Sequence, residues 1–412
     1  MNRKIMFLCF VMSAVLFLAA CNTETPADGG NNTGGTQTQT DGNDGATTGN
    51  DPAPVTGDEI RIGIIAPLTG EVAIYGIASS NGSELAFSEV NAAGGVLGSQ
   101  IRVFKHDDEH NPVTSVSVFQ RLVNQENVVA IVGPVTSGPA NAVGAAAALD
   151  DAIPLISPTG THEDVTSHGD FAFRACFLDN FQARSMGKFA VEQLEASTAA
   201  VLFNSGSAYS EGLADNFRQQ FEAMGGTIVA FEAYSDGDVD FRTQLTNINA
   251  RNADVLFLPD YYSTVANIAT QVRELGVTAV MLGADGWEGI FDVLDDPSIM
   301  NGSFYSAHFA SDDPDPMVQS FITNYTAEFG MAPSSFAALG YDAALIIAQA
   351  ISEAGSTDSA AIINALQNIN FSGVTGNVTF DPNGDPIKDL MVITIETADS
   401  GTIARFYSRV SP

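Results

Sequence analysis

"IPLISPTGT", residues 153 to 161, sets four residues suited to a buried strand directly against three small hydroxyl side chains, a proline and a glycine. A strand that ends this way leaves the sheet through a cluster of hydrogen-bond donors. The same junction recurs: apolar runs give way to "APLTGEVAIYG" (66–76), "GPVTSG" (133–138), "NSGSAYSEG" (204–212), "PDYYST" (259–264) and "GADGW" (283–287). With the first stretch, six small or hydroxyl-rich loops lie at the carboxyl ends of predicted strands. In an open α/β sheet those ends form the crevice where ligands bind, and the following helix presents unpaired N–H groups and a positive dipole there.

Working outward, short β-branched runs alternate with longer segments of helical spacing. "IRIGIIAPL", "IRVFKHD" (101–107), "VVAIVG" (128–133) and "IPLIS" read as strands, and "ELAFSEVNAAGG" as a helix stopped by Gly94 and Gly95. The alternation predicts a parallel sheet with helices on both faces. After about residue 180 it restarts, through "AAVLFN" (199–204), "TIVAFEAY", "DVLFLP" and "AVMLGAD" with helices between them. The fold class expected is therefore α/β, with two doubly wound lobes. Two more helices near 314–329 and 335–354, a third around "SAAIINAL", and a terminal β region with a turn at "DPNGD" complete the chain.

The start of the chain is of another kind. Residues 1–20 carry Arg3 and Lys4, then an apolar run closing in Leu18-Ala19-Ala20 before Cys21. That order is a secretory leader, and its end resembles the lipobox of bacterial lipoproteins, which makes Cys21 the expected lipidated N-terminus. Residues 21–57 are rich in Gly, Thr, Asn and Asp and cannot bury enough surface to fold, so they read as a tether. About 355 residues remain, enough for two lobes. "AALGYDAALIIAQAI" (337–351) is interrupted by Asp342 and reads as a buried helix, not a membrane span. Only Cys176 of the three cysteines falls in the folded part, so no intrachain disulfide is expected there. The formal charge of −33 becomes −35 once the leader is removed, 14 basic residues against 49 acidic; such a surface repels nucleic acid and anionic lipid.

Ser137 and Thr161 each stand where a helix begins, so a plain reading makes them N-caps. Taken together with the other loops they support a second reading. Tyr75, Ser137 and Thr161 from the first lobe, and Tyr209, Tyr261, Asp285 and Trp287 from the second, combine hydroxyls and aromatics with one carboxylate. That set suits a zwitterion with an apolar tail. Neutral hydroxyls and helix amides hold a carboxylate, Asp285 pairs with an ammonium, and the three tyrosines and Trp287 wall the side chain.

These stretches, together with "NGSELAFSEVNAAGGVLG", "DDEHNP", "FRACFLDN", "AYSEGLADNF" and "DFRTQLTNI", resemble in sequence and order the type I periplasmic binding proteins, specifically the leucine/isoleucine/valine-binding proteins of ABC importers, over Glu59 to Tyr407. The resemblance implies that Ser137 and Thr161 hold the ligand carboxylate. It implies that the carbonyl of Thr159 joins Thr161 and Asp285 around the ammonium, with Tyr75, Tyr209 and Tyr261 as the aromatic wall. It also implies a three-segment hinge between lobe 1 (59–178 plus 306–386) and lobe 2 (179–305 plus 387–412), a membrane permease as partner, and a monomer. Two departures stand out. Some members join the "DDE" and "GPV" loops by a disulfide where this chain has His110 and Thr136, and several have Glu where it has Asp285.

Other chemistries fare worse. "DGDVD" (236–240) begins like a calcium loop, but its sixth and twelfth positions are Phe241 and Asn247 rather than Gly and Glu. His162 and His168 with Glu163 and Asp164 read as a solvated loop, so neither metal nor cofactor is expected. No nucleophile elbow or phosphate loop occurs, so no enzyme is expected. A ligand sensor for a membrane receptor, or a binder of amides, urea, short peptides or aromatic carboxylates, are the alternatives.

Overall fold

The computed structural model describes residues 59–149, 152–399 and 401–412. The expected leader, Cys21 and the tether lie outside the described residues. The first βα series runs β1 (Ile60–Ala66), α1 (Ala73–Ala92), β2 (Ile101–Asp107), α2 (Pro112–Asn124), β3 (Ala130–Val132), α3 (Ser137–Ala147), β4 (Leu155–Ser157) and β5 (Ala172–Arg174). Its five strands are all parallel, in the order β2-β1-β3-β4-β5. β3, β4 and β5 are buried throughout, as strands covered on both faces must be.

The second series runs α4 (Asp179–Glu192), β6 (Thr198–Asn204), α5 (Ala208–Ala223), β7 (Thr227–Tyr234), α6 (Arg242–Asn249), β8 (Val255–Phe257), α7 (Tyr262–Glu274), β9 (Val280–Gly283) and β10 (Phe304–Ala307). Three helices follow, α8 (Pro316–Phe329), α9 (Ser335–Ala354) and α10 (Ser359–Gln367). After them come the small pair β11 (Phe371–Gly373) and β12 (Gly376–Val378), then β13 (Leu390–Ala398) and β14 (Gly401–Val410). The second sheet has seven strands in the order β14-β13-β10-β9-β8-β6-β7. It is parallel from β7 to β10 and antiparallel at the β13 and β14 edge. β10 pairs Ser306 with Val392 and Ala307 with Met391, so the lobe boundary expected at 305/306 falls inside a strand of the second sheet.

The chain crosses between the sheets after β5, after β10 and before β13. The second crossing returns α9 to the first sheet, where it packs on α1. Small residues permit that packing: a Cβ on Gly82 would lie 1.9 Å from the Ala337 carbonyl oxygen, and one on Gly340 2.1 Å from that of Ser79. Ser83 Oγ donates to the Gly340 carbonyl (2.9 Å) across the same contact. α9 is the one helix among the described residues long and apolar enough to span a membrane, and 78% of that apolar stretch is buried in the protein. Its Asp342 accepts from the amides of Val374 (2.9 Å) and Thr375 (2.8 Å), which answers why a carboxylate interrupts so apolar a helix.

Candidate functional site

On the first lobe, β3 and β4 end side by side and deliver the "GPVTSG" and "SPTGT" loops to one place. α3 starts at Ser137, so Ser137 is its first residue, not its cap; Thr136 holds the cap position without a side-chain bond to the helix amides. Thr161 caps nothing either, since the 3-10 turn Glu163–Thr166 is capped by His162, whose Nδ1 accepts from the Asp164 amide (3.2 Å). The Ser137 hydroxyl instead accepts from the His162 amide (3.3 Å), which ties the two loops together and leaves its O–H free to donate. Thr159 donates its hydroxyl to the Val135 carbonyl, fixing the backbone of the second loop against the first.

Arg174 explains why this loop is rigid. Its guanidinium is fully buried and pairs with Asp385 (Nε–Oδ1 2.6 Å). It also donates to the carbonyls of Gly160 (2.9 Å), His162 (2.8 Å) and Glu163 (3.2 Å) and to Thr166 Oγ1 (3.0 Å). The planar fork matches a ring of backbone acceptors that a lysine could not satisfy. The small residues of "SPTGT" thus end a buried strand because the loop wraps an arginine and faces a cleft.

On the second lobe, Asp285 opens the 3-10 turn Asp285–Trp287 after β9 and is buried. Its Oδ1 accepts from Tyr209 Oη (2.8 Å) and Gln182 Nε2 (3.0 Å), and its Oδ2 contacts His308 Nε2 (3.1 Å). A carboxylate has about four acceptor positions, so one direction on Oδ2 is left. The Tyr209 and Tyr261 rings stack (4.8 Å, 10°), and Tyr75 meets Tyr261 edge-on at 5.7 Å.

The lobes meet over this site. Tyr75, held 4.4 Å from Phe336 by the α1 and α9 packing, donates its hydroxyl to the Gly286 carbonyl and accepts from the Tyr262 amide (3.2 Å). Between the lobes Tyr75, Ser137, Thr159, Tyr209, Tyr261 and Asp285 line one cavity, together with Val135, Thr136, Gly286 and Phe336. Its free volume is only ≈ 10 Å³, about room for one water molecule. An amino acid needs more room than that, so the lobes must part for one to be held.

Two expected residues do not line that cavity. Trp287 lies flat on Gly283, where a Cβ would come within 2.1 Å of the indole, and donates Nε1–H to the Leu258 carbonyl (2.9 Å). It backs the site instead of walling it. Thr161 is fully buried beside Asp179, yet its hydroxyl and Asp179 Oδ2 both lack a hydrogen bond of acceptable geometry. Buried orphans of this kind are rare and expensive.

The carboxylate count also needs correcting. Asp179 is a second buried carboxyl group at the site, its Oδ1 bound to the Gln182 amide (2.9 Å) that also serves Asp285. Burial, reinforced by the charge of Asp285, pushes the Asp179 carboxyl well up. The sequence reading missed His308, Gln182, Asp179 and Phe336. His308 stands just past the carboxyl end of β10, a seventh strand end that the survey of loops omitted. Phe336 carries no signal of its own. His110 and Thr136 do face each other, Nδ1 to Oγ1 2.8 Å, so a hydrogen bond joins the two loops. His168 contacts Asn141 (2.5 Å), and no group of three metal-ligating side chains occurs among the described residues.

A family model described as periplasmic binding protein matches residues 59–401. The chain belongs to that family, in its type I leucine/isoleucine/valine-binding branch. Members bind solutes and are not an enzyme family. A Leu/Ile/Val-binding protein from Rhizobium johnstonii is 31% identical over 337 residues, 81% of this chain and 90% of the relative. A leucine-, isoleucine-, valine-, threonine- and alanine-binding protein from Pseudomonas aeruginosa is 29% identical over 80% of this chain and 87% of its own length. Among solved structures, a branched-chain amino acid transporter substrate-binding protein from Streptococcus pneumoniae, in complex with isoleucine, superposes with a TM-score of 0.79 at 32% identity. It covers 86% of this chain and all of that one.

Proposed function

We propose that this chain is the extracytoplasmic substrate-binding component of an ABC importer, tethered through a lipidated Cys21, and that its lobes close on an α-amino acid with a branched apolar side chain. The observation that carries this is Asp285: a buried carboxylate held by neutral donors, with one acceptor direction left, in a cavity otherwise walled by rings and hydroxyls. An ammonium completes it. Opposite stand the free O–H of Ser137 and the first-turn amides of α3, neutral donors suited to an α-carboxylate, which Thr161 could join only if opening of the lobes turned its hydroxyl away from Asp179. Tyr75, Tyr209, Tyr261 and Phe336 enclose the side chain, and the carbonyl of Thr159 is available to the ammonium. The isoleucine complex of the pneumococcal relative, matched over its whole length, supports the same ligand class. A ligand bearing a carboxylate but no amine would leave Asp285 buried without a counter-charge, which disfavours aromatic acids.

Thermal-shift screening of residues 22–412 against the twenty amino acids tests the reading, because a ligand that binds only the folded state raises Tm by mass action. Leucine, isoleucine or valine should give the largest shift. A protein that no α-amino acid stabilises is incompatible with the proposal.

A further inference from the structure

We propose that His308 is a positioning residue for the ligand's ammonium group, its Nε2–H holding Asp285 Oδ2 so that a single acceptor direction stays open toward the cleft; this rests on the amino-acid reading above. His308 lies on the second crossing segment and is fully buried. Its ring stacks on Phe177 of the first crossing segment, 3.7 Å between centroids at 24°, which fixes the imidazole plane. Nε2 lies 3.1 Å from Asp285 Oδ2. An ionised carboxylate only accepts, so Nε2 carries the hydrogen.

The other ring nitrogen decides the charge. Nδ1 is buried and has no partner among the described residues. A protonated ring would place a second N–H there with no acceptor, whereas a neutral ring leaves only a lone pair. The charged groups around the imidazole divide, the carboxylates favouring a proton and the lysine opposing it, so burial decides. Asp285 faces it from the second lobe and Asp179 stands behind Gln182, while the ammonium of Lys388 on the third crossing segment opposes a second cation. Burial moves the His308 pKa downward, and the bond to Asp285 offsets only part of that. Neutral His308 therefore orients Asp285 without neutralising it, and the negative charge remains for the ligand. Since Gln182 and Tyr209 fill both positions on Oδ1, His308 alone determines where the last acceptor direction points.

The test compares leucine with 4-methylpentanoate, which has the same carboxylate and side chain but no amine, by calorimetry on residues 22–412. His308→Leu should weaken leucine about ten- to a hundredfold, the loss of one hydrogen bond to a charged group, while changing 4-methylpentanoate little. His308→Gln, which keeps an N–H donor, should restore most of the discrimination. Equal weakening of both ligands in His308→Leu, or an unchanged ratio, overturns the proposal. If that variant does not fold, the pH profile of His308→Gln decides. Wild-type leucine affinity should fall on acidification as the imidazole takes up a proton, at a pH below the ordinary histidine range because of burial, and the variant should lose that limb; retention of the limb overturns the proposal. A wild type that binds no α-amino acid overturns the parent reading, an outcome distinct from an intact ratio in the variants.

Discussion

Asp285→Asn separates a ligand-binding role from a structural one, because the two act with opposite signs. The substitution keeps the shape of the side chain and an acceptor for Gln182 and Tyr209; its amide asks Nε2 of His308 to accept, which moves the ring proton to the partnerless Nδ1 and offsets part of what removing the charge gains. The bound ammonium, however, loses its only counter-charge in a site closed to water. Truncating one partner of a buried charged pair costs about 2–5 kcal/mol, which is roughly 30- to 5000-fold in Kd. Without ligand the balance reverses. Asp179 and Asp285 share one Gln182 amide, and the charge of Asp285 adds to burial in pushing the Asp179 carboxyl up. The ligand-free fold buries the Asp285 charge without a counter-ion, and removing that charge relieves it, so its Tm should hold or rise, by roughly 2 °C for each kcal/mol gained. Isothermal calorimetry with leucine and scanning calorimetry of the ligand-free protein give both numbers. An unchanged Kd refutes the role of Asp285. So does a loss of affinity matched by an equal loss of ligand-free stability, since that is what damage to the scaffold alone produces.

Three further outcomes follow from other parts of the molecule. Arg174→Met strips the 160–166 loop of its anchor and leaves Asp385 unpaired; it should cost about 3–5 kcal/mol by urea denaturation, Arg174→Lys should not rescue it, and a cost below about 1 kcal/mol would mean the loop holds itself. Glu288 of the second lobe accepts from the Ser335 amide (3.2 Å) at the start of α9, a cap made across the cleft. Glu288→Ala should therefore weaken leucine, isoleucine and valine by one common factor of about three- to tenfold, because it acts on closure alone; a change in their ranking would contradict this. Lys388 is buried against Asp342, and burial lowers its pKa from 10.5 to about 8 while moving Asp342 up. The unfolded chain then holds this proton more tightly than the folded one between those values, so stability should rise from pH 8 toward pH 9.5 by on the order of 2 kcal/mol. Lys388→Met should flatten that rise, and equal slopes for the two proteins would place the proton elsewhere.

What the sequence disclosed and what it hid divide along a physical line. The two wound lobes were legible because a strand and a helix each repeat over several residues, and the change of period marks where one ends. Tyr75, Ser137, Thr159, Tyr209, Tyr261 and Asp285 line the cavity because they lie in the loops or first helical turns at those ends, which converge in a parallel sheet. Trp287 was read from the same loop, but a place two residues past Asp285 in a 3-10 turn points its ring back onto Gly283.

The environment of Asp285 is another matter. Gln182, Tyr209 and His308 stand 103, 76 and 23 residues away along the chain, and they meet at the carboxylate because of where the crossing segments and α4 are carried. No local period encodes that convergence. It depends on α4 starting directly after the first crossing, and on β10 ending where the second crossing begins. The residue that supplies the charge is thus readable as a motif, whereas the residues that decide how many of its acceptor positions remain are fixed by topology. Ligand class follows from the first, and discrimination between an amine and its amine-free analogue from the second. A relative with Glu in place of Asp285 would need its three donors displaced by about one methylene, so an Asp285→Glu exchange here, with Gln182 and His308 unchanged, should weaken leucine rather than improve it. Calorimetry on that variant is decisive: tighter binding would mean that the free acceptor direction on Oδ2 is not what the ligand uses.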